Sequence, residues 1–247
     1  MVSANLAKKS RPRVVVAGAT GLVGRAVLAL LTSRPALPGI PKSSSLTALV
    51  RLPAQLAGWP PSVKGQLVDL AALGRAGIEG LPPLDWAICC LGTTIKAAGS
   101  QAAFRAVDFD AVLAFARAAK VAGASRLAVV SAMGASARST VFYNRVKGEM
   151  EQALIALDLP RLVIAQPALL LGERAALGQA SRPGEALAQR WMPRLARLLP
   201  RKLRPIRADA VALALITALA ADGPQVSRLS SDQLQALADA TPLRNKH

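Results

Sequence analysis

The stretch "RVVVAGATGLVGRAVLALLTSR", residues 13–34, decides the fold. Its first five residues are rich in valine and predict a buried strand, and the apolar pattern of 21–34 predicts a helix. Between strand and helix stand Gly18, Gly21 and Gly24, which allow a tight turn, close approach of backbone to a pyrophosphate, and close helix–strand packing. A helix N-terminus also presents N–H groups and a positive dipole end to phosphates. The stretch therefore predicts a dinucleotide-binding βα unit; the alternative is a helix-start loop that binds no ligand.

Downstream, short strand patterns alternate with longer helical patterns, which predicts stacked βαβ units and a parallel sheet. The predicted strands are 45–50, 66–68, 86–90, 126–131 and 161–165, and the predicted helices are 101–122, 140–157 and 208–221. After Pro167 the pattern changes, because residues 172–207 are rich in proline and arginine and show no strand pattern.

We therefore predict an α/β fold, a Rossmann-type doubly wound parallel sheet with a small C-terminal helical cap. Residues 1–10 are expected to form a flexible basic tail, and 11–170 an NAD(P)-binding body. Residues 171–247 are expected to cover the strand ends within the same folding unit.

The composition is that of a globular protein, with 52% hydrophobic and 18% charged residues. No run approaches the roughly 18–20 apolar residues of a membrane span, and the N-terminus lacks the apolar core of a signal peptide. Cys89 and Cys90 are adjacent within an apolar run, which indicates buried thiols in a reducing compartment. We expect a cytoplasmic protein with no metal site.

The end of the second predicted strand bears on the choice of coenzyme. An acidic residue there would accept a hydrogen bond from the ribose 2′-hydroxyl of NAD(H), but the sequence has Arg51, whose planar donors suit a 2′-phosphate. Arg25 is placed to assist. NADP(H) is thus favoured over NAD(H), although Arg51 is also interpretable as one of many surface arginines. Asp69 is placed either to accept from the adenine amino group or to cap a helix.

Tyr143, the only tyrosine, precedes Lys147 by four positions, so a helix carries both on one face. A free phenol has a pKa near 10, and a neighbouring ammonium stabilises the phenolate and lowers that pKa. Ser131, after the fifth strand, is placed to hold a substrate carbonyl oxygen beside the phenol. These residues predict proton transfer coupled to hydride transfer. The alternative is a buried tyrosine beside a lysine that extends to solvent.

These features together resemble an atypical short-chain dehydrogenase/reductase. The resemblance is carried by Gly18–Gly24, "CCLGTT" (89–94), Ser131, Tyr143-x-x-x-Lys147 and "AQPALLLGER" (165–174), and it is greatest to the branch grouped with Tat-interacting-protein-like and epimerase/dehydratase-like oxidoreductases. It implies an NAD(P)-binding Rossmann fold, with catalytic Tyr143, Lys147 and Ser131. It also places Leu91, Gly92, Thr93 and Pro167 beside the cofactor. With the residues argued from the sequence itself, the expected cofactor contacts are Gly18, Thr20, Gly21, Leu22, Val23, Gly24, Arg25, Arg51, Asp69, Leu91, Gly92, Thr93, Lys147 and Pro167. One departure is Asp108, where the family often has an asparagine in a proton relay.

The net charge of +17 favours anionic ligands by long-range attraction. No nucleic-acid-binding motif accompanies the charge, so a small-molecule substrate is expected. Residues 190–207 interleave arginines with leucines, which is typical of a cap helix with a wet cationic face; the alternative is docking on an anionic membrane or partner. The function hypotheses are an NADP(H)-dependent oxidoreductase, a coenzyme-binding redox sensor without turnover, and a scaffold that binds an anionic surface.

Overall fold

A computed structural model describes residues 11–33, 42–56, 59–69, 81–171 and 200–241. The strands in these residues are β1 (Arg13–Ala17), β2 (Ser45–Val50), β3 (Lys64–Leu67), β4 (Trp86–Cys89), β5 (Arg126–Val130), β6 (Arg161–Gln166), β7 (Leu170–Leu171), β8 (Ile206–Arg207) and β9 (Val226–Ser230). Seven of them form one parallel sheet in the order β3-β2-β1-β4-β5-β6-β9, and β7 pairs with β8 in a separate two-stranded sheet.

The helices that accompany these strands are α1 (Leu22–Thr32), α2 (Ile95–Ala98), α3 (Gln101–Arg105), α4 (Val112–Val121), α5 (Phe142–Ile155), α6 (Ala208–Ala220) and α7 (Ser231–Ala240). A π-helical segment, Ala106–Ala111, joins α3 to α4. Short 3-10 turns cover Pro53–Leu56 and Arg201–Leu203. Within the described residues, no helix has the length and apolar character needed to cross a membrane.

The sheet is covered on both faces, which explains why its central strands are continuously apolar rather than alternating. Helices α1 and α6 pack on one face, and their side chains share a core with Val14 and Val16 of β1. Helices α4 and α5 cover the other face, where the core contains Val15 of β1 and Phe115 of α4. The predicted Rossmann-type doubly wound α/β fold is confirmed.

The strand order places a switch point between β1 and β4. The chain leaves β1 toward β2 on one side and continues from β4 toward β5 on the other, so the loops after β1 and β4 separate at the carboxyl edge of the sheet. The N–H of Cys90 still donates to the carbonyl of Ala17 at 2.8 Å, which holds the two loops together at their bases. Ligands of open α/β sheets bind in the crevice beyond this edge.

The structure corrects the predicted organisation of the C-terminal segment. Residues 226–230 form a seventh strand of the main sheet, and α6 lies in the core beside α1, so the described part of 171–247 extends the body rather than only covering it. Strand β8 also contradicts the prediction that 172–207 lacks strands. The sequence "VSRLS" was missed because it is a half-exposed edge strand with little apolar signal.

Two other boundaries differ. The predicted helix 101–122 is interrupted by the π-helical segment, and the third strand begins at Lys64 and ends at Leu67 rather than spanning 66–68. The predicted tail 1–10 and residues 172–199 of the predicted cap lie outside the described residues.

Candidate active site

Two glycines of the first loop are required by the protein's own packing. Gly18 has φ +74°, and a Cβ there would lie 2.5 Å from the backbone of Cys90. A Cβ on Gly24 would lie 2.2 Å from the carbonyl oxygen of Gly18. These glycines therefore let the loop after β1 lie against the end of β4 and let α1 lie against that loop.

Gly21 is different, because the nearest atom to a Cβ at that position is the Gly18 oxygen at 3.4 Å. Gly21 is the N-cap of α1, no side-chain hydrogen bond caps the helix there, and the first turn has no acidic residue. Thr20, Gly21 and Leu22 are partly exposed while Val23 is buried. The helix start thus has uncapped N–H groups and an unopposed positive dipole end, which is the requirement for a phosphate site.

A pocket beside this loop lies at the ends of β1 and β2. It is lined by Gly18, Thr20, Leu49, Val50, Arg51, Gln55, Val68 and Leu91. The side-chain oxygen of Gln55 accepts from the backbone N–H of Arg51 at 3.1 Å and so fixes the turn that carries the exposed arginine. The Arg25 guanidinium donates to the Thr20 carbonyl at 3.1 Å. Asp69 is exposed two residues after β3, and Val68 rather than Asp69 lines the pocket.

The loop after β4 connects this pocket to a buried ion pair. The N–H of Thr93 donates to Asp108 Oδ2 at 2.8 Å, and a Cβ on Gly92 would lie 3.4 Å from Asp108 Oδ1. Lys147 Nζ lies 2.7 Å from the same Oδ1, and both side chains are at most 4% exposed. The structure thus brings Leu91, Gly92 and Thr93 to the face of α5 that carries Lys147.

Tyr143 is partly buried one turn before Lys147, and its ring packs on Phe104 with centroids 5.3 Å apart. Burial raises the pKa of Tyr143; the Lys147 ammonium lowers it and the Asp108 carboxylate raises it further, so the net direction is upward. The sequence predicted that Lys147 lowers the pKa of this phenol, and it does, but burial of the ring raises the pKa by more. Asp108, 39 residues before Lys147 in the chain, adds to the upward shift.

Ser131 lies at the same sheet edge but is bonded inward. Its hydroxyl donates to Glu151 Oε1 at 2.5 Å in the interior. Glu151 also accepts from the Gln166 amide at 2.9 Å and from Arg228 Nε at 3.1 Å. The single hydroxyl proton is therefore committed to Glu151. The predicted donation from Ser131 to a substrate carbonyl would require this bond to break, and that role stays a prediction.

Pro167 is buried directly after β6, and its carbonyl accepts from the N–H of Met133 at 3.0 Å. This bond ties the loop after β5 to the loop after β6. Pro167 thus lies on the Ser131 side of the crevice, whereas Arg51 and Asp69 lie beyond the opposite, β2–β3 side.

Several site residues were not assigned from the sequence. They are Asp108, noted only as a departure, and Glu151, Gln166 and Arg228. Glu151 had a readable signal, because it follows Lys147 by four positions and shares its helix face. Arg228 had none, since the strand that carries it was not predicted.

The buried cysteine of β4 is not a reactive group of the candidate site. Cys89 is buried in the sheet, and burial raises its pKa to about 12, which indicates an inert packing residue.

Across the part of the chain that is described, no group of three or more His, Cys, Asp or Glu residues could hold a metal ion. Of the basic segment 190–207, residues 190–199 lie outside the described residues, and Arg201 and Lys202 are exposed.

Sequence comparison identifies relatives of this chain. No family model matches it. It is 34% identical over 179 residues to the mitochondrial protein fmp52 of Emericella nidulans, covering 71% of this chain and 72% of the relative. It is 34% identical over 171 residues to the mitochondrial protein FMP52-1 of Scheffersomyces stipitis, covering 64% and 67%. Protein HTATIP2 of Rattus norvegicus is 41% identical over 107 residues, covering 43% and 42%.

Comparison with solved structures confirms the fold at low sequence identity. The enzyme WbmG of Bordetella bronchiseptica, in complex with NAD, superposes with a TM-score of 0.62 and 16% identity, covering 96% of this chain and 79% of that one. MoeE5, in complex with UDP-glucose and NAD, has a TM-score of 0.61 and 15% identity, covering 93% and 82%. The rat relative confirms the resemblance to Tat-interacting-protein-like proteins, and the structural neighbours, two of which hold NAD, confirm the Rossmann-type fold.

The expected cytoplasmic location is wrong by the same comparison, because the FMP52 relatives are named as mitochondrial proteins. The expectation rests on an N-terminus without the apolar core of a signal peptide and on two cysteines that indicate a reducing compartment. A buried thiol such as Cys89, with its raised pKa, is inert whatever the redox poise around it. It therefore carries no information about the compartment.

Proposed function

This chain belongs to the FMP52 protein family, and on that premise we propose that it is an oxidoreductase of the short-chain dehydrogenase type. It transfers a hydride between a nicotinamide dinucleotide and a carbonyl or alcohol substrate. The observation that carries the proposal is the placement of Tyr143 and buried Lys147 on one face of α5, at the sheet edge that also holds the glycine loop. Neither a scaffold nor a simple anion-binding surface needs this combination.

The glycine loop and the start of α1 are proposed to hold the pyrophosphate. Gly18, Thr20, Gly21, Leu22, Val23 and Gly24 form that loop, and the space at Gly21 allows close approach of a ligand. The pocket beyond β2 takes the adenosine end, with Leu91, Gly92 and Thr93 bordering the opposite wall. When bound, the dinucleotide supplies or accepts the hydride.

NADP(H) is proposed as the preferred coenzyme, with NAD(H) as the alternative. Arg51 lies on the pocket rim, its position is fixed by Gln55, and its guanidinium offers the planar donors that a 2′-phosphate accepts. Arg25, held by the Thr20 carbonyl, adds a second positive charge at the same loop. Two further contacts are proposed: Asp69 with the adenine amino group, and Pro167 with the nicotinamide end.

Tyr143 is proposed to move the proton. In reduction its phenol donates a proton to the carbonyl oxygen as the hydride bonds to the carbonyl carbon, which yields an alcohol and leaves a phenolate to be reprotonated from solvent. In oxidation the phenolate accepts the hydroxyl proton. Lys147 is held by Asp108 at 2.7 Å and fixes the polar side of the site.

A second candidate function is a redox sensor that binds NADP(H) without turnover. The observation that favours it is the inward bonding of the polar groups, with Lys147 on Asp108 and Ser131 on Glu151. Such pairing would stabilise a binding site without presenting donors to a substrate.

The test is NADPH consumption with a panel of aldehydes and ketones, for the wild type and Tyr143→Phe, with NADPH affinity measured on both. We expect turnover by the wild type and a loss of at least about 100-fold in Tyr143→Phe, since general acid catalysis contributes that much. NADPH affinity should be unchanged in the variant. Tight NADPH binding without turnover on any carbonyl would favour the sensor, and no binding would reject both.

A further inference from the structure

Asp108 is a buried carboxylate whose role neither the sequence nor the proposed proton transfer explains. It lies in the π-helical segment Ala106–Ala111, which interrupts an otherwise regular helix, and its side chain is fully buried. Single-turn π segments inside α-helices occur frequently at functional sites. Asp110, two residues further along the same segment, is exposed. The π turn therefore sends one carboxylate into the site and leaves the other in solvent.

The partners of Asp108 come from two other elements. Oδ1 lies 2.7 Å from the Lys147 ammonium on α5, and Oδ2 accepts from the Thr93 N–H, in the loop after β4, at 2.8 Å. One carboxylate thus connects the loop that borders the coenzyme pocket with the helix that carries Tyr143. A neutral amide at this position could not neutralise the lysine charge.

The charged surroundings of Tyr143 reduce to that ion pair. On its own helix, Arg145 donates to the carbonyls of Ser139 and Thr140, and in α3 the side chain of Arg105 is turned to Glu149. Phe104 of α3 contributes only an aromatic ring. The pKa of the Cys89 thiol in β4, which burial raises, is also lowered by Lys147 and raised by Asp108. Among the described residues, Lys147 and Asp108 are the charged groups that act on the phenol.

We propose that Asp108 is a positioning residue that holds the Lys147 ammonium and neutralises its charge, so that the Tyr143 phenol stays protonated and acts as a proton donor. This inference rests on the proposed function and adds its direction: the site is built to reduce a carbonyl. The pKa of Tyr143 is raised chiefly by burial, and Asp108 adds to that shift while Lys147 opposes it, in agreement with the geometry.

The consequence for catalysis has a definite sign. Reduction needs the protonated phenol, so the reductive rate should be level at neutral pH and fall with a midpoint above the ordinary phenol value of about 10. Oxidation needs the phenolate, so its rate should rise with pH over the same range. Removing the Asp108 charge should move both the fall of the reductive rate and the rise of the oxidative rate to lower pH.

The direct test does not require turnover, because Tyr143 is the only tyrosine in the chain. Tyrosinate absorbance, followed against pH with circular dichroism as a check of folding, reports the ionisation of this one side chain. In the folded wild type we expect the midpoint of tyrosinate formation to lie above the ordinary phenol value of about 10. Asp108→Asn should ionise lower than the wild type, by about 1 pH unit or more, because the lysine charge is then unopposed. Asp110→Asn, the matched control, should titrate like the wild type.

Two results would overturn the inference. One is a midpoint of tyrosinate formation below about pH 10 in the folded wild type, a result that does not depend on any variant folding. The other is a folded Asp108→Asn protein that titrates with or above the wild type. If the wild type turns over carbonyls, the high-pH limb of its reductive profile should move with the Asp108→Asn titration. If it turns over nothing, the proposed function fails while the titration still decides what Asp108 does to the phenol.

Discussion

The two ends of the crevice are built in opposite ways. At the end proposed to hold the dinucleotide, here called the dinucleotide end, the start of α1 has no side-chain cap and no acidic residue, and Gly21 has no close neighbour that a methyl group would displace. At the end proposed to hold the substrate, here called the reaction end, the charged groups are paired inside the protein, with Lys147 on Asp108 and Glu151 bonded to three partners. The first end presents unused hydrogen-bonding capacity to a ligand. At the second end, the hydrogen-bonding groups are already bonded to other side chains of the protein.

Because of this difference, substitutions at the two ends should affect different properties of the protein. Substitutions at the dinucleotide end should act mainly on ligand affinity, unless they strike a glycine that the packing requires. Substitutions at the reaction end should act first on stability, because each removes one partner of a buried polar pair.

The largest expected effect is that of Asp108→Ala on stability. Removing this carboxylate leaves the Lys147 ammonium buried without its partner, which should lower the free energy of unfolding by about 3–5 kcal/mol. Urea denaturation followed by circular dichroism measures the loss. Asp110→Ala, an exposed control in the same π segment, should change stability by less than about 0.5 kcal/mol. Equal, small losses in both variants would show that the ion pair does not stabilise the fold.

Gly24→Ala and Gly21→Ala separate packing from ligand binding within one loop. The added methyl group on Gly24 would lie 2.2 Å from the Gly18 oxygen, so overpacking should cost about 2 kcal/mol in the free energy of unfolding. On Gly21 the nearest atom is 3.4 Å away, so the fold should be kept while dinucleotide affinity falls about tenfold, or about 1.4 kcal/mol. Denaturation and calorimetric titration of both variants check this. A Gly21→Ala protein with unchanged dinucleotide affinity would contradict the placement of the pyrophosphate.

The sequence predicts each end of the crevice better when the residues that interact there are close together along the chain. The glycine loop is local, since a strand, three glycines and a helix within 22 residues determine it. The Lys147–Asp108 pair joins positions 39 apart, through a π turn that no periodicity announces. Likewise, Arg228 reaches Glu151 from an edge strand whose weak apolar pattern hid it. Sequence reasoning therefore placed Tyr143 and Lys147 on one helix face and recognised that the lysine lowers the phenol pKa. It missed the burial and the Asp108 carboxylate, which raise that pKa.

Arg51→Gln tests coenzyme choice at the dinucleotide end. Loss of a charge-assisted hydrogen bond to the 2′-phosphate should weaken NADPH binding by about 2 kcal/mol, or about 30-fold, and leave NADH binding unchanged. Arg117→Gln, which removes one exposed charge from α4, is the control for the fall in net charge. Parallel weakening of NADPH binding in both variants would indicate long-range attraction rather than a contact at Arg51.

The smallest expected effect is that of Ser131→Ala. Because the hydroxyl donates to Glu151, its removal should cost about 1 kcal/mol of stability, with Gln166 and Arg228 still bonded to the carboxylate. Turnover in reduction should fall by less than about tenfold. A loss of about 100-fold or more, the size expected for a donor to the reacting oxygen, would instead restore the role predicted from the sequence.

We propose that a nicotinamide dinucleotide lies across the carboxyl edge of the sheet, from the Arg51 pocket to the Tyr143 face of α5. Calorimetric titration of the wild-type chain with NADPH, NADP, NADH and NAD tests it most directly. We predict saturable binding of one dinucleotide per chain, with the 2′-phosphorylated forms bound more tightly. Absence of saturable binding for all four coenzymes would contradict the account.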